Sequence, residues 1–309
     1  MTTISQQGPD DAALRAWDDR GAFPQAGLAR VIAHPKLAEA AQALARNMLQ
    51  ASQEDERLDG IFKDAGRYTA VAWGAYLHAS DDLTLPRLKA ASVSSGFASS
   101  GRARSLLHYL LHLGFIEPAT SDLRAPGAPA RYTLTPAFLE SWRRHFRAAL
   151  EAASVLEPAV RTVLDRLDDA PVFDSLVRIH AGALLSASPE IAQDHPYVRI
   201  FLHRHAGIQL VWALWASPGA EFPSRYAAPV SMAALARRFG VSRIHVRRML
   251  VDAEAAGLVS RDASGALTLE DATRDFIRRH FAAQLLMLLI AAARTAIALP
   301  LDPDPRPDA

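Results

Sequence analysis

The 309-residue chain has no cysteine. That excludes disulfides and thiolate metal sites, and it suits a reducing compartment. Long apolar runs are missing too. The longest, Ala282 to Ala293, spans twelve residues and includes Gln284. A bilayer span needs about 20 apolar residues, so this stretch reads as a buried helix and no membrane partner is expected. Met1 to Asp11 is polar and lacks the apolar core of a secretory leader. The expected setting is the cytoplasm. There is no nucleophile elbow, phosphate loop or metal-hydrolase signature, and no carboxylate pair stands out. His195, His203 and His205 are close in sequence but lack the i, i+4 spacing of a helical metal pair. Nothing argues for an enzyme, a metal or an organic cofactor.

Acid is absent from two windows. The chain as a whole is nearly neutral, with 34 Lys and Arg against 33 Asp and Glu. Leu83 to Ile116 nevertheless holds no acid and carries Arg87, Lys89, Arg102 and Arg104. Phe222 to Val251 also holds none, and carries Arg225, Arg237, Arg238, Arg243, Arg247 and Arg248. Two basic faces on a near-neutral protein can still bind a polyanion.

What is present is present twice. Gly114-Phe115-Ile116 and Gly257-Leu258-Val259 each close an apolar helical pattern. A short strand-like run follows each: Tyr132-Thr133-Leu134-Thr135, then Leu267-Thr268-Leu269. Arg143-Arg144-His145-Phe146 returns as Arg278-Arg279-His280-Phe281. Leu49-Gln50-Ala51-Ser52 echoes Leu185-Ser186-Ala187-Ser188, and Trp73 echoes Trp212. The offset drifts between 135 and 143, as loop insertions would make it. The simplest reading is a dimer fused into one polypeptide, and two-fold symmetry is how many proteins match DNA. Residues 14–150 and 151–299 are the expected units, with 1–13 and 300–309 as disordered ends. The join, Arg147 to Leu167, is helical in pattern with Pro158 as a kink or start, so the halves should pack together. Phe146 and Phe281 should point inward, their arginines facing water or an ion pair between halves. Trp73, Trp212 and Trp215 are expected in the core.

The clearest motif runs from Met232 to Val259. Leu235 and Phe239 are spaced to face a core, and Gly240 ends that helix. Ser242 is an N-cap for a second helix, whose inward stripe is Val246, Met249, Leu250 and Ala253. Arg243, His245, Arg247 and Arg248 are left outside, near its start. This is a helix-turn-helix whose second helix suits the major groove. A short wing turns at Ser264-Gly265. The first half repeats the pattern. Leu85 to Ala91 is the first helix, and Ser99 or Ser100 caps the second. Ala103, Leu106, Leu107, Leu110 and Leu113 face inward, leaving Arg102, Arg104, Ser105, His108 and His112 polar. Its longer wing, Thr120 to Ala130, offers Arg124 and Arg131.

These residues resemble winged helix-turn-helix regulators, and each unit as a whole resembles the MarR family. Asp122-Leu123-Arg124-Ala125, with Tyr132-Thr133-Leu134-Thr135 after it, looks like that family's wing and following strand. The second wing lacks the Asp-x-Arg pattern, and the second helix-turn-helix equally resembles the GntR type. The resemblance implies a mainly α fold with two small β-wings, tandem units forming an intrachain pseudo-dimer. It implies a sequence-dependent transcriptional regulator of double-stranded DNA, acting as a monomeric pseudo-dimer or as a homodimer. It also implies a small aromatic effector. The implied DNA contacts are Ser99, Arg102, Arg104, Ser105, Arg124, Arg131, Ser242, Arg243, His245, Arg247 and Arg248. The alternative is a tandem winged-helix scaffold that binds protein.

Overall fold

Leu37, Ala40, Ala41, Leu44 and Met48 recur at helical spacing, and they form the buried face of a helix over Leu37–Glu54. The structure, a computed structural model, describes residues 13–18, 25–80, 82–94, 100–119, 129–191, 195–216, 221–263 and 265–299. The terminal arms, Ser99, Ser264 and most of the segment expected as the first wing, with Arg124, lie outside the described residues.

The order is α1 (Gln25–Ala33), α2 (Leu37–Glu54), α3 (Glu56–Phe62), α4 (Ala65–His78), α5 (Leu85–Ser94), α6 (Ser100–His112), β1 (Ile116–Pro118) and β2 (Tyr132–Leu134). Then come α7 (Pro136–Ala153), a 3-10 turn at Pro158–Val160, α8 (Arg161–Leu164), α9 (Ala170–Ile191), a π-turn at Val198–Leu202 and α10 (Gly207–Trp215). The chain ends with α11 (Met232–Arg238), α12 (Arg243–Ala255), β3 (Val259–Arg261), β4 (Leu267–Leu269) and α13 (Asp271–Ala298). Helix makes up 71% of the described residues, beside two small antiparallel sheets, so the mainly helical expectation holds.

Side-chain caps set the helix starts. Asp55 accepts from Arg57 N and Leu58 N, Asp64 from Arg67 N, and Thr135 from Phe138 N just before Pro136. Each satisfies amide donors that the first turn leaves unpaired. Pro158 opens its turn as a start point, with Glu157 as the cap.

The division expected at residue 150 falls inside α7. One hydrophobic cluster runs from Leu14 to Ala296 and takes side chains from both sides of that point. α2 packs on α7 and α9 packs on α13. Contacts that cross between the halves include α9 on α4 and α2 on α10. Phe146 and Phe281 are fully buried, as are Trp73 and Trp215. The twelve-residue apolar run sits in α13, which is far longer than the run. By length and composition α13 could cross a membrane, but its most apolar window is 78% buried. It packs against α1, α2, α7 and α9 as the central helix of the core.

Each sheet gains a third element by a single bridge. Thr84, just before α5, pairs with Arg131 beside β2, and Tyr226, before α11, pairs with Thr268 of β4. β1 and β2 register Ile116 with Leu134, and β3 and β4 register Val259 with Leu269. Gly114 and Gly257, which end α6 and α12, share a φ of 67°. Both helices therefore turn into their strands through the left-handed region that glycine enters freely.

Candidate nucleic-acid interface and interior cavity

α11 begins on Ser231, whose hydroxyl accepts from Ala234 N at 3.2 Å. It buries Leu235, Ala236 and Phe239. Gly240, at φ 60°, turns the chain, and Val241 N donates to Ala236 O at 3.0 Å. Ser242 then caps α12, accepting from His245 N at 3.1 Å. Val246, Met249, Leu250 and Ala253 form the buried stripe. Ser242, Arg243, Ile244, Arg247, Arg248 and Val251 are exposed. Arg243, Arg247 and Arg248 have no acid partner among the described residues. Most neighbouring cations are engaged: Arg204 with Asp252, Arg225 with Asp271, and Arg261 with Glu254. The outer face of α12 thus carries positive charge that no acid among the described residues neutralises.

His245 behaves differently from the arginines. Its Nε2 lies 2.8 Å from the His205 carbonyl oxygen, so that nitrogen carries the proton and donates. The ring anchors α12 to the turn before α10. A second anchor comes from the other half of the chain. Lys63, nearly fully buried, donates from Nζ to the Phe239 carbonyl at 2.7 Å and pairs with Asp59 at 2.7 Å. A cation at the C-terminal end of α11 satisfies a carbonyl and complements the helix dipole. Asp59 also accepts from Gln209 Nε2 at 2.8 Å, which ties α3 to α10.

On α6, Ala103, Leu106, Leu107 and Leu110 are buried, while Leu113 just beyond it is half-buried. Arg104, Ser105, His108 and His112 are exposed. Arg102 is held inward: its guanidinium pairs with Asp64 at 2.7 Å. Arg131 is half-buried at the sheet, where its backbone pairs with Thr84. The second hairpin is tight, with Ala266 N bonded to the Asp262 carboxylate and Gly265 at φ 86°. Its Arg261 is folded back onto Glu254 and the Gly265 carbonyl. Of the expected site residues, the structure therefore sets Arg104, Ser105, Ser242, Arg243, Arg247 and Arg248 on open faces. It draws Arg102, Arg131 and His245 into internal contacts.

A cavity of about 130 Å³ lies between the halves. Its walls include Met48, Phe62, Tyr68 and His145 from the first half, and His180, Trp212, His280 and Met287 from the second. His145 and His280 are the histidines of the repeated Arg-Arg-His-Phe. Tyr68 Oη and His145 Nε2 are 3.1 Å apart, and His280 Nε2 is 3.1 Å from Gln284 Nε2. Burial pushes His145 down to about 3, helped by nearby His180, and pushes His180 and His280 down to about 4. All three are neutral at pH 7. Buried His145 Nδ1 and Trp212 Nε1 have no hydrogen-bond partner among the described residues. Such groups are costly unless something polar meets them. Trp212 is thus a core residue and a cavity wall at once. Sequence alone did not bring these histidines together, although the recurrence of His145 and His280 in Arg-Arg-His-Phe was a readable signal; His180 lies outside that repeat.

His195 stacks on Phe276 with centroids 4.1 Å apart, and His205 offers its carbonyl to His245. No group of three metal-ligating side chains occurs among the described residues. No family model, no curated protein and no solved structure matches the chain.

Proposed function

We propose that the protein is a sequence-dependent DNA-binding transcriptional regulator, built as two winged helix-turn-helix units in one chain. The same local order occurs twice: α4, Thr84, α5, α6, β1 and β2, then α10, Tyr226, α11, α12, β3 and β4. In this reading α6 and α12 are the recognition helices and the hairpins are wings. The paired contacts α2–α7 and α9–α13, with the crossed contacts α9–α4 and α2–α10, are what a pseudo-two-fold arrangement produces. The observation that carries the proposal is the outer face of α12. Three exposed arginines, with no acid partner among the described residues, follow a capped turn, where a groove-reading helix needs them.

Selection of duplexes from a random library by the full-length protein tests the reading. Enriched duplexes should bind with an affinity that falls steeply with salt, because phosphate contacts release counterions. Because α6 and α12 carry different exposed residues, the enriched site should be an imperfect palindrome. No enrichment, with weak binding that is flat in salt, leaves the protein-binding scaffold as the better account.

The cavity favours one addition, a small aromatic effector. Its volume is near that of an engineered cavity that holds benzene, about 150 Å³. Phenol or benzoate should raise the melting temperature and shift DNA affinity. If neither ligand changes either quantity, this addition is wrong while the DNA reading stands.

A further inference from the structure

Ile244 is 63% exposed in the first turn of α12. An exposed large aliphatic side chain is unremarkable by itself. Its surroundings make it informative. Arg247 and Arg248 stand three and four residues on, so they adjoin Ile244 on the helix surface. Arg243 precedes it, and none of the three arginines has an acid partner among the described residues. The next exposed apolar side chain on α12, Val251 at 49%, lies two turns away. Along the outer face of α12, Ile244 is therefore an apolar point among cations that have no acid partner among the described residues.

A protein partner would normally meet a contiguous apolar patch with charge at its rim. The major groove has the complementary pattern. Its rims are anionic phosphate, and the only apolar group that a base edge presents on its floor is the C5-methyl of thymine. Residues at the start of a recognition helix are the ones that reach base edges. We infer that Ile244 reads a thymine through its C5-methyl group, while the flanking arginines hold the phosphates or a guanine. This inference rests on the DNA-binding reading.

The first half lacks the feature. Counting back equally from Gly114 and Gly257, Gly101 takes the place of Ile244, and His108 that of Val251. Arg104 matches Arg247. The thymine requirement thus belongs to one half-site only, and it makes the two half-sites unequal.

The test starts from a duplex selected by the full-length protein. Each thymine is replaced singly by deoxyuridine, which removes the methyl and keeps the pairing. Wild type should lose about fourfold in affinity at one position, the worth of burying one methyl group. That position should lie in the half-site contacted by α12. Ile244→Ala should bind the thymine and deoxyuridine duplexes equally, with an unchanged melting temperature because the side chain is exposed. Arg247→Ala should bind both more weakly and keep the difference between them. The inference is overturned if no deoxyuridine position affects wild type, if that half-site contains no thymine, or if Ile244→Ala keeps the discrimination. In those three cases the selected duplex still supports DNA binding. Failure to enrich any duplex overturns both.

Discussion

The Arg102 guanidinium lies 2.7 Å from the Asp64 carboxylate, and this contact fastens α6 to the start of α4. Asp64 also caps α4 through Arg67 N and lines the interior cavity. Counting back equally from the glycines that end α6 and α12, Arg102 corresponds to His245, which donates to the His205 carbonyl. Both helices are anchored from the same position, one by an ion pair and one by an imidazole N–H.

Arg102→Ala should therefore cost stability before it costs contacts to DNA. Asp64 is buried and would lose its shorter ion pair, but Arg102 is more than one-third exposed, so water screens the attraction. The expected loss is about 1 kcal/mol. Arg104→Ala, on the same helix but exposed, should leave the urea midpoint unchanged and reduce the salt slope of DNA binding. The reverse ranking in the two assays would contradict this division of labour.

Arg243 and Arg247 are four residues apart on the exposed face of α12. Replacing either with Ala should weaken binding to the selected duplex by about 1–3 kcal/mol with the melting temperature intact. Leu250 is 3% exposed, and Leu250→Ala should destabilise the fold by about 2–5 kcal/mol. If both arginine variants bind as wild type does, α12 is not a DNA reader.

Lys63 links the halves through the Phe239 carbonyl. Lys63→Met keeps most of the buried stem and deletes the ammonium, taking a donor from the Phe239 carbonyl and the ion pair from Asp59. A loss of roughly 1–3 kcal/mol is expected in urea denaturation. The damage should fall on the α11–α12 turn, so amide exchange should rise at Gly240 and Val241. Exchange that rises uniformly, or not at all, would show that the contact is not what holds the turn.

The cavity histidines predict a pH dependence. Burial holds His145, His180 and His280 below the usual 6.5, at about 3, 4 and 4. Between the folded and unfolded pKa values the unfolded chain binds more protons, so acid favours unfolding. Stability is complete above about pH 6.5, falls as pH drops from 6.5 towards 4, and each unit of depression corresponds to about 1.4 kcal/mol. Urea midpoints at pH 7.5 and 5.0 should differ clearly, and His180→Gln should narrow the gap. Equal midpoints for wild type would disprove neutral burial.

The helices and their faces were legible because they follow local rules. The apolar spacing of Val246, Met249 and Leu250, the cap at Ser242 and the turn at Gly240 depend on neighbours within a few residues. Each appears where the sequence places it. The buried run in α13 was legible as a core helix, although its full length was not, since Thr295 and the alanines carry no sharp boundary signal. Exposure of Arg243, Arg247 and Arg248 followed from the same spacing, because positions off the inward stripe face out.

Long-range pairing had no such signal. Nothing near Arg102 in sequence distinguishes it from Arg104, yet Asp64, 38 residues earlier, takes the first and not the second. Lys63 meets Phe239 across 176 residues, and the Nε2–H of His245 donates to a carbonyl 40 residues away. The cavity needs α2, α4, α7, α9, α10 and α13 to converge before its histidines lose their water. Caps and amphipathic faces are set by short-range geometry that a chain carries in its order of residues. Charge neutralisation, burial of histidine and the enclosure of space depend on which distant surfaces meet, and they exist only once those surfaces have packed.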